Sequence, residues 1–303
     1  MRFLNPKTDF AFKKIFGSAQ SHDILLSFLN AILGLESPYR LRDLTIVDPY
    51  NAPKIKGMKD TYLDVKAEDE QGNSYIIEMQ VLNVAGFEKR VLYNACKTYA
   101  GQIRQGEDYH LLSEVIAITI TDFIMFSSEE LPAIVNKFKL RAEAGHVYSD
   151  DLEMVFAELP KFDKTEEQLE TVLDRWFYFL KSAGDLSTIP DALRGEPAIV
   201  QAFGIANKCG LSDEELDDQE RREIFIQDQR GAITLAEQRG LDRGLERGLE
   251  QGIEQGIEQG RQQERLRIAR SLLDAIGDNA RIADMTGLSQ DAVRDLRSRE
   301  TGR

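Results

Sequence analysis

The first 160 residues alternate between the hydrophobic spacing of helices and that of strands. Phe12 and Phe16 lie four positions apart in the opening segment, and Gly17 follows where a helix would end. The predicted elements are two helices, the second ending near Gly34, then strands at 44–48, 61–68 and 74–82, a helix at 86–106, and strands at 114–120 and 152–159. This order predicts an α/β fold in which a mixed sheet lies between helices.

From about Lys164 onward the hydrophobic spacing is helical, with Leu169, Leu173 and Trp176 on one predicted face. We therefore expect the mixed sheet to be followed by an all-α C-terminal region. The predicted segments are an α/β domain at 1–160, a helical region at 161–235, a glycine repeat at 236–265 and a small helical tail at 266–303.

Six glycines of the repeat recur at every fourth position between 240 and 260, and Leu or Ile follows each of the first five. Interior glycines cost a helix about 1 kcal/mol each relative to alanine, or about 6 kcal/mol in all. Close packing against a partner would offset that cost, so we favour a helix that pairs with a second copy of the chain. The alternatives are a semi-flexible spacer and a repeat whose number simply varies.

The tail contains a helical pattern, a turn at Gly287 and a second helical pattern capped by Ser289. This order is typical of helix-turn-helix units. The second helix carries Asp291, Asp295 and Glu300 beside its arginines, so its basic surface is thin. We therefore favour a plain helical hairpin over a DNA-binding helix-turn-helix.

Composition narrows the class of protein. The 303 residues are 42% hydrophobic, which is ample for a packed core, and no stretch approaches the ~20 apolar residues that a membrane span requires. Cys96 and Cys209 are far apart and lack CxxC spacing, so we expect reduced core thiols, as in a cytoplasmic protein. The three scattered histidines disfavour a histidine-based metal site.

The net charge of −14 argues against a protein coated in basic phosphate contacts. The negative charge is unevenly distributed, because residues 1–122 contain 14 basic and 16 acidic side chains. The N-terminal segment is therefore nearly balanced, and a nucleic-acid partner is compatible with it.

Asp64 and Glu78 are the principal candidates for chemistry. Each lies in a short alternating segment, and alternation places Asp64 beside Lys66 and Glu78 beside Gln80 on the polar face of a hairpin. Two carboxylates on paired strands can share a hard cation such as Mg²⁺ next to a phosphate. The alternative is an exposed hairpin face with ordinary alternating charges. The apolar neighbours of Glu78 argue against it, because they predict partial burial.

Four stretches together resemble the recombination-promoting nuclease family, also described as transposases, of the PD-(D/E)XK superfamily. They are residues 5–17, residues 57–67, residues 77–80, and Arg90 with Tyr93. The resemblance covers roughly residues 1–160, and the combination of stretches is more specific than any one of them. It implies a PD-(D/E)XK (restriction-endonuclease-like) fold for that segment.

The resemblance implies a DNA endonuclease, a hydrolase dependent on Mg²⁺ or Mn²⁺ and linked to recombination, transposition or defence against foreign DNA. Asp64 and Glu78 would be its metal ligands, and Asp9 on the first helix would add a further acid. With the repeat, we expect a homodimer or higher homo-oligomer that acts on DNA without a membrane partner.

Gln80 departs from the superfamily pattern, in which a lysine is usual at this position. A glutamine can orient water but cannot supply a positive charge. Lys66 is the first candidate for the missing cation because it shares a predicted strand face with Asp64. Lys59 and Lys13 are the second candidates.

Arg90, Asn94 and Lys97 recur at i, i+4 and i+7 and are predicted to form a polar stripe opposite Phe87 and Val91. Such a stripe could contact a phosphate backbone, although a solvated helix face is an equal alternative. The residues nominated for the DNA backbone are Lys13, Lys59, Arg90 and Lys97.

Two other functions compete with DNA cleavage. The fold could serve as the scaffold of a non-catalytic interaction protein, which the net charge and Gln80 favour and which the intact pair Asp64 and Glu78 opposes. The same site could also cleave RNA.

Overall fold

The computed structural model describes residues 3–51 and 61–301. Its helices are α1 (Asp9–Phe16), α2 (His22–Leu33), α3 (Phe87–Ala100), α4 (Val172–Ser182), α5 (Pro197–Ala206), α6 (Asp213–Leu272), α7 (Asn279–Thr286) and α8 (Gln290–Thr301). Its strands are β1 (Leu44–Val47), β2 (Tyr50–Asn51), β3 (Thr61–Tyr62), β4 (Val65–Asp69), β5 (Ser74–Gln80), β6 (Val115–Thr121), β7 (Val135–Arg141) and β8 (Val147–Glu158). Lys59, one of the predicted cation sources, lies outside the described residues.

A six-stranded mixed sheet forms the centre of the fold, in the order β1-β4-β5-β6-β8-β7. Strands β5, β6 and β8 are parallel, whereas β1, β4 and β7 join the sheet in antiparallel pairs. All seven residues of β6 are buried, as expected for a parallel strand that is covered on both faces. The predicted mixed sheet between helices is therefore confirmed.

Helices cover both faces of this sheet. On one face, Ile77 belongs to the same buried cluster as Phe16 of α1 and Trp176 of α4. On the other face, Ile76 clusters with Ala95 of α3. Neighbouring residues of β5 therefore enter different cores, and the carboxylates of the candidate site lie near the end of a sheet that is buried on both sides.

Residues 1–230 form one compact unit and residues 231–303 a second, with the boundary inside α6. The boundary predicted at residue 160 therefore lies within the first unit. The physical reason is the aromatic core, in which the ring of Trp176 lies 5.7 Å from those of both Phe16 and Phe28. Helices α4 and α5 pack on α1 and α2 and therefore share the core of the first unit.

Strand β7 and the two cysteines differ from the sequence analysis. Strand β7 was not predicted, and its apolar side chains alternate with the charged side chains of Lys137, Lys139 and Arg141. Charged side chains of this kind are common on edge strands, where they discourage pairing with another chain. Cys96 and Cys209 are free thiols, but both are exposed rather than part of the core.

The second unit has its own small core, formed by the end of α6 with α7 and α8. The guanidinium of Arg297 donates hydrogen bonds to the carbonyl oxygens of Leu273 and Ile276, at 3.0 and 2.7 Å. The tail is therefore a packed helical unit with a turn at Gly287, whose φ is 69°. The glycine repeat lies within α6. Each helix in the described parts of the chain is too short or too polar to cross a membrane.

We predict that Trp176→Ala lowers the free energy of unfolding of the first unit by about 3–5 kcal/mol, because it removes a fully buried indole from an aromatic cluster. Urea unfolding followed by circular dichroism measures the change. Tyr148→Ala, which truncates a side chain that is 83% exposed, is the control and should cost less than about 0.5 kcal/mol. A sheet that retains its stability in Trp176→Ala would contradict the single unit.

Candidate active site

Asp64 lies in a bend between two strands rather than inside one. Strand β3 ends at Tyr62 and, within residues 3–51 and 61–301, pairs with β2 alone. Strand β4 begins at Val65, so the strand predicted at 61–68 is broken at this point. Since Val65 pairs with Ile77 in the β4–β5 ladder, the register places Asp64 opposite Glu78. The Oδ2 atom of Asp64 accepts a hydrogen bond from Met79 N at 2.9 Å. The backbone of β5 therefore holds this carboxylate next to Glu78.

Glu78 is oriented by α3. Its Oε1 atom accepts a hydrogen bond from Asn94 Nδ2 at 2.9 Å. Asn94 is only 4% exposed, and its Oδ1 atom is buried without a hydrogen-bond partner among the described residues. Asp64, Glu78 and Asn94 line one cavity of about 440 Å³. Side chains from three parts of the chain thus line a shared space.

Burial changes the proton affinity of both carboxylates. It raises the pKa of Asp64 to about 7, although the hydrogen bond from Met79 N and the charge of Lys13 act in the opposite direction. It also raises the pKa of Glu78, against the hydrogen bond from Asn94. Neighbouring acids with raised pKa values need a proton or a cation between them. The pair is therefore poised to bind a positive ion.

Asp9 differs from the other two acids. Lys13 Nζ lies 2.6 Å from Asp9 Oδ1 and 3.4 Å from Asp64 Oδ1, so one ammonium links the two carboxylates. Asp9 Oδ2 lies 2.8 Å from Arg222 Nη1 of α6. Burial alone would raise the pKa of Asp9, but its contacts with Lys13 and Arg222 outweigh burial and lower it. Asp9 is thus ionised and already neutralised by two cations.

The donor set suits a hard divalent cation held by two ligands. Across the described ranges, no group of three His, Cys, Asp or Glu residues is arranged to hold a metal ion. Mg²⁺ often binds through one or two carboxylates and keeps several waters, so Asp64 and Glu78 alone can satisfy it. These two residues would hold the cation, whereas Asp9 is placed to balance the charge of Lys13.

Two basic side chains lie beside the acids and Gln80: Lys13 contacts Asp64, and Arg90 contacts Gln80. Arg90 Nη2 donates a hydrogen bond to Gln80 Oε1 at 2.6 Å, and Gln80 Nε2 donates to the carbonyl of Leu82 at 2.7 Å. Both ends of the Gln80 amide are therefore occupied, and Gln80 holds the Arg90 guanidinium at the cavity.

Lys66, the first candidate from sequence, is placed elsewhere. Its Nζ atom lies 3.4 Å from Glu68 Oε1, and Lys66 is not among the described residues that line the cavity. The bend at Asp64 interrupts the alternation that would have put the two side chains on one face. Lys13 therefore occupies the position beside Asp64 that was expected for Lys66.

The predicted polar stripe on α3 also needs correction. A step of three residues turns a helix by about 300°, so the row containing Asn94 lies next to Phe87 and not opposite it. Lys97 is only 4% exposed, and its Nζ atom donates a hydrogen bond to Thr61 Oγ1 at 3.2 Å. Lys97 is therefore too buried to contact a DNA backbone, whereas Arg90 is exposed.

The first turns of α6 adjoin this site. Thr8 Oγ1 donates a hydrogen bond to Gln219 Oε1 at 3.0 Å, and Lys14 forms an ion pair with Glu215 at 2.6 Å. Arg222 of α6 also contacts this end of α1, through its ion pair with Asp9. These long-range partners were not predicted, because a polar helix face carries no sequence signal for the residue it will meet.

Comparison with protein families identifies the fold. A family model described as "PD-(D/E)XK nuclease family transposase" matches residues 6–236. The chain belongs to this family. The match confirms the resemblance, and it extends through α4, α5 and the start of α6, well beyond residue 160. No curated protein and no solved structure gives a significant match.

For this PD-(D/E)XK family member we predict that Asp64→Asn stabilises the metal-free protein at about pH 8 by on the order of 2 kcal/mol. The raised pKa of Asp64 means that the unfolded state loses the proton first as the pH rises. The free energy of unfolding therefore falls between about pH 4 and pH 7 in the parent, and this titration is absent from the variant.

Urea unfolding in a chelator at about pH 8 and about pH 4 measures this difference, which should vanish at the lower pH. Glu68→Gln, which neutralises a carboxylate that is 43% exposed, is the matched control and should show little change. Equal or lower stability of Asp64→Asn at the higher pH would contradict the raised pKa.

Proposed function

We propose that this protein is a DNA endonuclease in which Asp64 and Glu78 hold Mg²⁺ or Mn²⁺. The observation that carries the proposal is the pair of largely buried carboxylates with raised pKa values in one cavity. Membership of a nuclease family supports phosphodiester hydrolysis as the reaction. One oxygen of each carboxylate is held by the protein, at Met79 N or Asn94 Nδ2, and the second oxygen of Asp64 lies 3.4 Å from Lys13 Nζ.

The protein's own groups have distinct roles in this proposal. A bound divalent ion would supply an activated water and neutralise charge on the phosphate. Lys13 balances Asp64 and Asp9, and Arg90 places a positive charge at the cavity where a substrate phosphate would enter. Gln80 acts by positioning Arg90, because both ends of its amide are already hydrogen-bonded. In this proposal Gln80 and Arg90 together take the place of the motif lysine.

The partner is DNA in this proposal, and the protein acts as a homodimer or higher oligomer in the cytoplasm, in recombination, transposition or defence against foreign DNA. Support for self-association comes from the repeat in α6, whose row of Leu and Ile side chains is exposed. The exposed fractions fall from 74% at Leu241 to 52% at Ile257. Exposed apolar side chains that recur along a polar helix can form a contact surface for another helix, and at a four-residue spacing this surface winds around α6.

The non-catalytic scaffold is a second candidate, because one observation favours it. Asp9 also lines the cavity, but it is paired with both Lys13 and Arg222. Among the described residues of the site, Asp64 and Glu78 are therefore the two acids left to bind a metal ion. The scaffold predicts no metal-dependent cleavage and no heat of metal binding that depends on Glu78. The cleavage assay below separates the two functions.

We predict that the protein nicks or linearises supercoiled plasmid in Mg²⁺ or Mn²⁺, and that Asp64→Ala lowers the rate by about 100-fold or more. The substitution removes a metal ligand. Gel electrophoresis of a time course measures the rate. Glu68→Ala, four residues away and outside the cavity, is the matched control and should retain the parent rate within about twofold. Equal nicking by the parent and Asp64→Ala would show that the site is assigned wrongly.

A second prediction concerns the replacement of the motif lysine. Arg90→Ala should lower the cleavage rate by about 10-fold or more, because it removes the positive charge held by Gln80. Lys66→Ala, which truncates a cation paired with Glu68, should leave the rate within about twofold of the parent. Loss of activity in Lys66→Ala alone would restore the assignment made from sequence.

A further inference from the structure

Two stacked tyrosines border the candidate active site. Tyr50 and Tyr62 are directly opposite each other in the β2–β3 pair, and their ring centroids are 4.9 Å apart at an interplanar angle of 31°. Tyr62 is nevertheless 72% exposed and Tyr50 is 39% exposed. Stacking between the two rings stabilises the strand pair but leaves most of Tyr62 in contact with water.

The position of Tyr62 connects this ring to the carboxylates. Tyr62 lines the same cavity as Asp64 and Glu78, two residues before the bend that carries Asp64. The preceding residue, Thr61, accepts a hydrogen bond from the buried Lys97 of α3 at 3.2 Å. Helix α3 therefore donates hydrogen bonds to both strand β3 and Glu78, which holds Tyr62 and the carboxylates around the same cavity.

The described residues that line the cavity offer few cationic contacts to a phosphate. Arg90 is the one basic residue among the described residues that line the cavity. Lys13 is paired with Asp9 and Asp64, and the chain as a whole has a net charge of −14. Proteins that bind duplex DNA without sequence preference rely on many basic contacts. The described lining of the cavity thus supplies one cationic contact, to which an aromatic contact with a base would add.

We propose that Tyr62, packed against Tyr50, is a stacking platform for an unpaired DNA base. This base would lie next to the phosphate that is cleaved at Asp64 and Glu78. The inference rests on the proposed nuclease function and names its substrate class, which is single-stranded or splayed DNA. An exposed aromatic ring can stack on a base only when that base has a vacant face. Bases within a duplex are stacked on both faces, so intact duplex would not engage the platform.

Binding of one fluorescently labelled oligonucleotide, alone and as a blunt duplex, tests the platform by anisotropy in Mg²⁺. The full-length chain is used with Asp64→Asn, which prevents cleavage during the titration. Adding Tyr62→Ala should weaken single-strand binding by about 5- to 100-fold, the range expected for loss of one stacked base. Tyr62→Phe keeps the ring and should bind within about twofold of its parent, because stacking does not need the hydroxyl.

Tyr148→Ala is the matched control, since Tyr148 is 83% exposed and does not line the cavity. It should bind both oligonucleotides as its parent does. The thermal unfolding of each variant confirms that the exposed substitutions leave the fold intact.

Three results would overturn the platform. The first is equal binding by Tyr62→Ala and Tyr148→Ala, and the second is equal weakening by Tyr62→Phe and Tyr62→Ala. The third is a parent protein that binds the duplex at least as tightly as the single strand, or that binds neither. Cleavage of the same single-stranded and duplex oligonucleotides by the unsubstituted chain in Mg²⁺ separates failure of the platform from failure of the proposed function. Cleavage without strand preference overturns the platform alone, whereas selective binding without cleavage overturns the nuclease proposal and retains the platform.

Discussion

The structure around the candidate site depends on the burial of two carboxylates near one end of the central sheet. Asp64 and Glu78 lose most of their contact with water there, and ionised carboxylates in such surroundings need compensating partners. The chain supplies the Met79 N–H group and the Asn94 amide as donors, and Lys13 as a cation. These contacts leave both pKa values raised, so a bound divalent cation would relieve a cost that the protein has not fully offset.

The same electrostatic requirement connects the sheet to the first turns of α6. Charges alternate from Asp64 through Lys13 and Asp9 to Arg222, and each is within 3.4 Å of the next. The start of α6 is therefore part of the charge balance of the site. This is in keeping with a family match that continues to residue 236, beyond the sheet and the helices that cover it.

Predictable elements of this fold are those whose causes are local. Helix α1 has its cap at Thr8 and its stop at Gly17, and the β4–β5 hairpin has its turn between two alternating segments. By contrast, the single unit of residues 1–230 depends on Trp176 packing against Phe16, which is 160 positions away in sequence. No local pattern reports such a contact, so a boundary at residue 160 follows from the sequence although the core crosses it.

By itself the sequence determined the pairing of Asp64 with Glu78, because a short hairpin turn and β alternation place them side by side. Only the tertiary structure decided what surrounds them. The bend at Asp64 moves Lys66 away, and helices α1 and α3 bring in Lys13 and Arg90. Neighbours along a strand are set by backbone geometry, whereas neighbours across packed helices are set by how whole faces are buried, which a local pattern does not encode.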